Sequence, residues 1–188
     1  TNANLGGTWK AWISDSTSSP SISFFKSTLP YNLVNGVMIA NNWINLTDGT
    51  IDNFFIINES GGQIDAVPPP FYYDVMTNTN ISGGFEYGSA GNCNNWTNSS
   101  NALFFHNGIS DSTSYSWTFN IISAKNCDTQ AHLYCFEQPW CGNGIIEVIN
   151  NETCDDGNAI DNDGCENNCV ISPAVCGNGI LQQGEECD

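Results

Sequence analysis

No aromatic residue follows Trp140, yet six of the nine cysteines and half of the 20 carboxylates do. The final 48 residues also lack Lys and Arg. A segment that short and that poor in apolar groups cannot close a core of its own, and has to be held by crosslinks or metal. The preceding residues carry all 22 aromatic side chains, enough for an ordinary buried interior. Two kinds of folding unit are therefore expected, one packed and one stapled.

Nine cysteines point to an oxidising compartment, where their first role is structural. Six Asn-x-Ser/Thr sequons, at Asn45, Asn58, Asn80, Asn95, Asn98 and Asn151, point the same way, to an extracellular, cell-surface glycoprotein. A net charge of −17 with only three basic residues argues against nucleic acid and anionic membranes, whose phosphates would repel it, and makes cations the natural partner. No run of 18 apolar residues offers a membrane span, and no signal peptide precedes Thr1. The expectation is that the chain begins after processing or after a further segment, and it stops within a pattern at "GEECD".

The first unit reads as β-rich. "GTWKAWIS" alternates Trp9, Ala11 and Ile13 against Thr8, Lys10 and Trp12, while "VMIA", "FFII", "ALFF", "YSWTFNII" and "AHLYCFE" are short apolar runs bounded by turn-forming residues. No stretch of helical period stands out. Three consecutive prolines in "IDAVPPPFYYD" make that segment a loop or an extended edge, because proline cannot donate to a ladder.

Three phrases, "LGGTWKAWIS", "YGSAGNCNNWTNSS" and "CDTQAHLYCFE", occur in an order that resembles the endostatin-type domain of collagens and its bacterial surface-protein relatives, which share a C-type-lectin-like fold. The resemblance covers roughly residues 3 to 138. It implies an α+β, β-rich domain with irregular sheets, and a disulfide between Cys93 and Cys127. It also implies that Cys135 pairs with a cysteine upstream of the Leu-Gly-Gly strand. Since residues 1 to 92 contain none, the partner is expected before Thr1, with the domain's first helix. The family's zinc-binding histidines have no counterpart, and His106 and His132 read as structural residues of strands. The lectin sugar signatures are absent too, "EQPW" at 137 to 140 departing after two letters.

The tail repeats itself: "CGNGIIEVINNETCD" (141 to 155) returns, two residues shorter, as "CGNGILQQGEECD" (176 to 188). Cys141, Cys154, Cys165 and Cys169 follow C-x12-C-x10-C-x3-C, and Cys176 and Cys187 open a second copy. The pattern, with "CDDGN" and "DGC", resembles the Myxococcus-type cysteine-rich repeat found in tandem on bacterial and protist surface proteins. The expected organisation is an endostatin-like domain over 1–138, a first repeat over 139–175 and the start of a second over 176–188. All six tail cysteines are expected in disulfides, with the connectivity left open.

Between Cys154 and Cys165 lies "CDDGNAIDNDGC", which invites comparison with metal loops. Aligning Gly164 with the sixth position of an EF-hand puts Ala159 first and Val170 twelfth, so that geometry fails at both ends. Zinc fails as well, because the tail has no histidine and disulfides consume the thiols. Calcium in another geometry fits, with hard oxygens from Asp155, Asp156, Asn158, Asp161 and Asp163, and Asn143 and Glu152 as further candidates. The competing reading is a solvated acidic turn, since Asp, Asn and Gly are turn formers. Clustered carboxylates without a nearby base, together with the resemblance, favour Ca²⁺.

Catalysis finds little support. Paired cysteines are no nucleophiles, no Ser-His-Asp set can be assembled from the two histidines, and Glu59 and Asp65 beside a Gly-Gly loop read as solvated charge. Three functions compete: a non-enzymatic structural or adhesive protein, a lectin-like domain on calcium-stiffened repeats that self-assembles as a surface filament; a module whose exposed aromatics bind extracellular glycans or proteins; and a secreted enzyme. The first is preferred.

Overall fold

The computed structural model describes residues 8–64, 73–86, 91–138, 146, 152–156, 163–166 and 169–172. The protein is β-rich with few, short helices and contains the disulfides Cys93–Cys127 and Cys154–Cys165, compatible with a disulfide-rich α+β fold. It divides into two compact units, Thr1–Leu5 with Lys10–Phe136, and Gly6–Trp9 with Glu137–Asp188. No helix among the described residues is long and apolar enough to cross a membrane.

Strand β1 (Thr8–Ala11) pairs with β7 (Cys135–Gln138), and β2 (Tyr31–Asn32) with β3 (Met38–Ala40). The remaining three, β4 (Asp74–Met76), β5 (Phe104–Ile109) and β6 (Ala124–Asn126), form an antiparallel sheet with β5 in the middle. Among the described residues three single-turn α-helical segments punctuate them: α1 (Pro20–Ser23), α2 (Trp43–Leu46) and α3 (Cys93–Trp96). Pro20 sits in the first turn of α1, where its missing N–H costs nothing. Helix α2 is capped by Asn42, whose Oδ1 accepts from Asn45 N at 3.0 Å.

Two apolar runs expected as strands are not. "FFII" contributes only an isolated bridge between Ile57 and Gln63, and "YSWTFNII" opens as a 3-10 turn over Tyr115–Trp117. The second departure has a steric cause. A Cβ at Gly108 would collide with the Trp117 carbonyl, so the 117–118 backbone lies directly on the sheet instead of pairing along it. Apolar composition there served burial, not a ladder.

The core of the first unit is built around Trp12, which is fully buried. Its ring lies 5.0 Å from Trp117, 5.4 Å from Phe136, 5.7 Å from Phe24 and 5.8 Å from Trp43, in tilted or edge-on arrangements. Ile39, Leu46 and Val75 complete the cluster. Each such aromatic pair adds about 0.5–1.5 kcal/mol beyond area burial.

Beside this cluster lies a buried polar layer from a segment that reads as loop. Thr77, Asn78 and Thr79 are fully buried, with Ser14 and Thr118. Trp12 Nε1 donates to Thr118 Oγ1 at 2.7 Å, and that hydroxyl donates to the Thr79 carbonyl at 2.8 Å. Thr77 Oγ1 donates to the Thr118 carbonyl at 2.5 Å and Thr79 Oγ1 to the Thr77 carbonyl at 2.8 Å. With the Thr79 proton so used, Ser14 Oγ is the donor in its 2.8 Å contact with Thr79 Oγ1. The network replaces the water these groups lose on folding.

Segment α3 is left-handed: Cys93, Asn94, Asn95 and Trp96 have φ of 54, 56, 56 and 61°. Such a turn costs roughly 1–2 kcal/mol per L-residue and persists only where its surroundings over-determine it. Here they do. Cys93 is bonded to Cys127; Asn92 Oδ1 accepts from Asn95 N at 2.8 Å; Asn95 accepts from Ser16 N at 3.1 Å and donates to Ser16 Oγ at 2.8 Å; and Trp96 Nε1 donates to the Ser14 carbonyl at 3.1 Å.

Candidate metal site and glycan acceptor positions

In the tail, 152–156 and 163–166 both bond to 169–172. Thr153 N donates to the Cys169 carbonyl at 2.9 Å, and Thr153 Oγ1 accepts from Ile171 N at 3.1 Å. Glu166 N donates to the Val170 carbonyl at 2.9 Å, and Cys165 bridges Ile171. The Cys154–Cys165 disulfide ties the first two segments at a Cα separation of 5.8 Å.

This framework brings Glu152 to Asp155. Their carboxylate oxygens and Cys169 Sγ all lie within 4.8 Å of one another, and Glu152 is buried. Cys169 is disulfide-bonded, so its sulfur is neither a thiolate ligand nor a proton donor, although it lies 3.8 Å from Asp155 Oδ2. What remains is a pair of hard oxygen donors. Asp163 and Glu166 each withdraw one carboxylate oxygen from solvent, whereas Asp156 is exposed. Of the expected ligands, Asn158 and Asp161 lie outside the described residues, as do Asn143, Asn151, Asp65, Cys141, Cys176 and Cys187. Glu152, a secondary candidate by sequence, is thus the residue that joins Asp155; its position two residues before Cys154 was the available signal.

The described sequons have a structural use of their own. Asn58 Oδ1 accepts from Ser60 N and Gly62 N at 3.0 Å, and Asn80 Oδ1 from Ser82 N and Gly84 N at 3.0 Å. Asn98 Oδ1 accepts from Ser100 N at 2.8 Å. The same spacing serves Asp15 with Thr17 and Asp48 with Thr50, neither of which can carry an N-glycan. An oxygen at i reaches the N–H at i+2, so this spacing staples loops by itself. The Thr17 N–H and then its hydroxyl hold the Asp15 carboxyl below its ordinary pKa, and the Thr50 N–H does so for Asp48.

The acceptor nitrogens differ. Among the described residues, Nδ2 of Asn58 and of Asn98 makes no hydrogen bond, whereas Asn45 donates to Asp48 Oδ2 at 2.9 Å, Asn80 to the Phe85 carbonyl at 3.4 Å and Asn95 to Ser16 Oγ at 2.8 Å. Among the described sequons the open nitrogens are therefore those of Asn58 and Asn98.

Cys135 is unpaired and exposed on β7. Desolvation by its immediate neighbours and then the Glu59 carboxylate push its thiol above the ordinary value. His106 lies on β5 with its ring 5.4 Å from Phe119, and burial lowers its pKa against the opposing pull of Glu86.

A sequence family described as a domain of unknown function (DUF4215) matches residues 123–170, a stretch that takes in β6, Cys127, β7 and the Cys154–Cys165 loop. The chain is also similar to the acetylcholinesterase collagenic tail peptide of Torpedo marmorata, 52% identical over 50 residues that make up 26% of this chain and 10% of that protein. The chain therefore aligns with about a tenth of that relative's length.

Proposed function

We propose that this chain is a non-enzymatic extracellular structural or adhesive protein: an endostatin-type, C-type-lectin-like domain carried on disulfide-bonded repeats that bind Ca²⁺, and a subunit of a self-assembling surface filament or appendage. The observation that carries the reading is the meeting of Glu152 and Asp155 inside a cysteine-bonded tail with no cationic side chain after residue 140. Carboxylates held together repel, and a hard divalent cation relieves that repulsion while crosslinking the segment. Glu152 and Asp155 would hold the ion, with Asp156, Asp163, Asn158 and Asp161 as the other oxygen donors. The disulfides support an oxidising location, and the partial likeness to a collagenic tail peptide is consistent with an extracellular architectural role.

A sugar-binding role draws less support. Trp12 and Trp117 are spent on the core, and Trp43 and Trp96 are half-buried, so four of the six tryptophans are committed to packing and not to an open platform.

The test is a calcium titration of the whole chain. Added Ca²⁺ should raise the melting temperature and the protease resistance of 139–188, a chelator should reverse both, and E152Q combined with D155N should abolish the response. Sedimentation in parallel should show self-association. A tail whose stability ignores both calcium and chelator, in a chain that stays monomeric, would replace this reading with that of a solvated acidic turn.

A further inference from the structure

The three-stranded sheet gathers an amine, a carboxyl and a carboxamide on one face, one from each strand. Lys125 of β6 stands opposite Phe105 of β5, and Asn107 is two residues further along β5 on the same face. Asp74 of β4 is opposite Ile109, again diagonal to Asn107. Asp74 bridges the other two: its Oδ2 is 2.9 Å from Lys125 Nζ, and its Oδ1 accepts from Asn107 Nδ2 at 2.6 Å. Asn107 is fully buried, and the side chains of Asp74 and Lys125 are 11% and 19% exposed.

A buried ion pair would account for Asp74 and Lys125 alone. It does not account for Asn107, whose Nδ2 is spent on the carboxylate while its Oδ1 is buried without a hydrogen-bond partner. Leaving a carboxamide oxygen bare in the interior is costly. It is also the arrangement in which a carboxamide carbon faces chemistry.

We propose that Lys125 and Asn107 form an intramolecular isopeptide bond, with Asp74 as the catalytic proton carrier. Diagonal neighbours on adjacent strands have Cα atoms roughly 7–8 Å apart, a gap that the four-carbon stem of lysine spans. In the first step one proton moves along the 2.9 Å Lys125–Asp74 contact, from Nζ to Oδ2, leaving an amine and an acid. The Nζ lone pair attacks Asn107 Cγ. Asp74 delivers its proton to Nδ2, which it already contacts, and takes back one proton from Nζ as the tetrahedral adduct collapses. The Nζ–Cγ bond forms, the Cγ–Nδ2 bond breaks and one ammonia leaves; Asp74, left as the neutral acid, passes its proton to that ammonia, which departs as ammonium, and returns to the carboxylate. Nothing is oxidised or reduced and no other reactant is needed. Holding amine and carboxamide in register converts a negligible bimolecular aminolysis into an intramolecular one. The product joins β5 to β6 covalently, independently of calcium and of where the protein resides.

Intact mass of the reduced full chain decides the matter. The folded protein should weigh one ammonia less than its sequence, and digestion should release a branched peptide joining the segments around 107 and 125. K125M and D74N should each restore the full mass. Mass measurement needs no folded variant, because the unsubstituted protein is itself decisive: the full sequence mass would leave only an ion pair. Loss of one water would instead mean a Lys125–Asp74 link, and an ammonia loss that survives K125M would mark a succinimide elsewhere. Each of these three results overturns the proposal.

Discussion

Gly61 and Gly83 hold the same place in two turns built alike, yet only Gly83 lies beneath another element. Both follow Asn-x-Ser, both have φ near +80°, at 79 and 77°, and in each turn the asparagine N donates to the second glycine's carbonyl, at 2.7 and 2.8 Å. Around Gly61 there is open space. A Cβ at Gly83 would come within 3.2 Å of the Trp43 ring and 3.3 Å of Ser21 N, and the Gly83 carbonyl accepts from Ser21 N at 2.8 Å. G61A should therefore cost about 1 kcal/mol, the price of a left-handed φ alone. G83A should cost clearly more, because it also parts the turn from α1 and α2. Denaturant melts of the two variants compare them directly; equal losses would show that the turn is not docked.

Thr118 links the aromatic core to the polar layer, receiving the Trp12 indole and donating to the Thr79 carbonyl. T118V keeps the shape and leaves both partners unsatisfied. A loss of about 2–4 kcal/mol is expected from two buried groups, while T118S, which keeps the hydroxyl, should recover most of it. Thermal unfolding monitored by tryptophan fluorescence measures both.

Burial holds the His106 pKa below its unfolded value, so between the two values the unfolded chain binds more protons than the folded one. Stability should rise with pH through that window, and fall as pH drops below about 6.5, the ordinary histidine value. H106Q should lose this component of the acid sensitivity. Melting temperatures between pH 7.5 and about 5 for both proteins provide the check.

At Cys135 the raised thiol pKa leaves little thiolate at neutral pH despite the exposed side chain. Alkylation of the folded protein should be slower than that of the unfolded chain near pH 7.5, and should accelerate as pH rises. E59Q should speed it at fixed pH by removing the neighbouring negative charge. Peptide-level labelling rates test this, and a Cys135 that refuses alkylation in the unreduced, unfolded protein would instead carry the disulfide to an outside cysteine that the family resemblance implies.

Much of the organisation could be read from the residues alone because it is local. Asx residues two places before Ser or Thr fold their own loops, as Asp15, Asp48, Asn58, Asn80 and Asn98 do, and the cysteine spacing marks the tail as a stapled segment. Strands β1 and β3 fall within runs expected from alternation or apolarity, and β5 and β7 begin in such runs and extend past them. What could not be read was set by partners distant in sequence. Thr77, Asn78 and Thr79 have loop composition and became core only because Ser14, Trp12 and Thr118 arrive to satisfy them. "YSWTFNII" has strand composition and became a 3-10 turn because Gly108 lets its backbone press onto the sheet. Asp74, Asn107 and Lys125 carry no motif at all; the register of β4 on β5 and of β5 on β6 places them on one face. Local hydrogen bonding and crosslinking are written in spacing, whereas burial of a polar group depends on whether the rest of the chain brings it a partner, and that is a property of the tertiary structure.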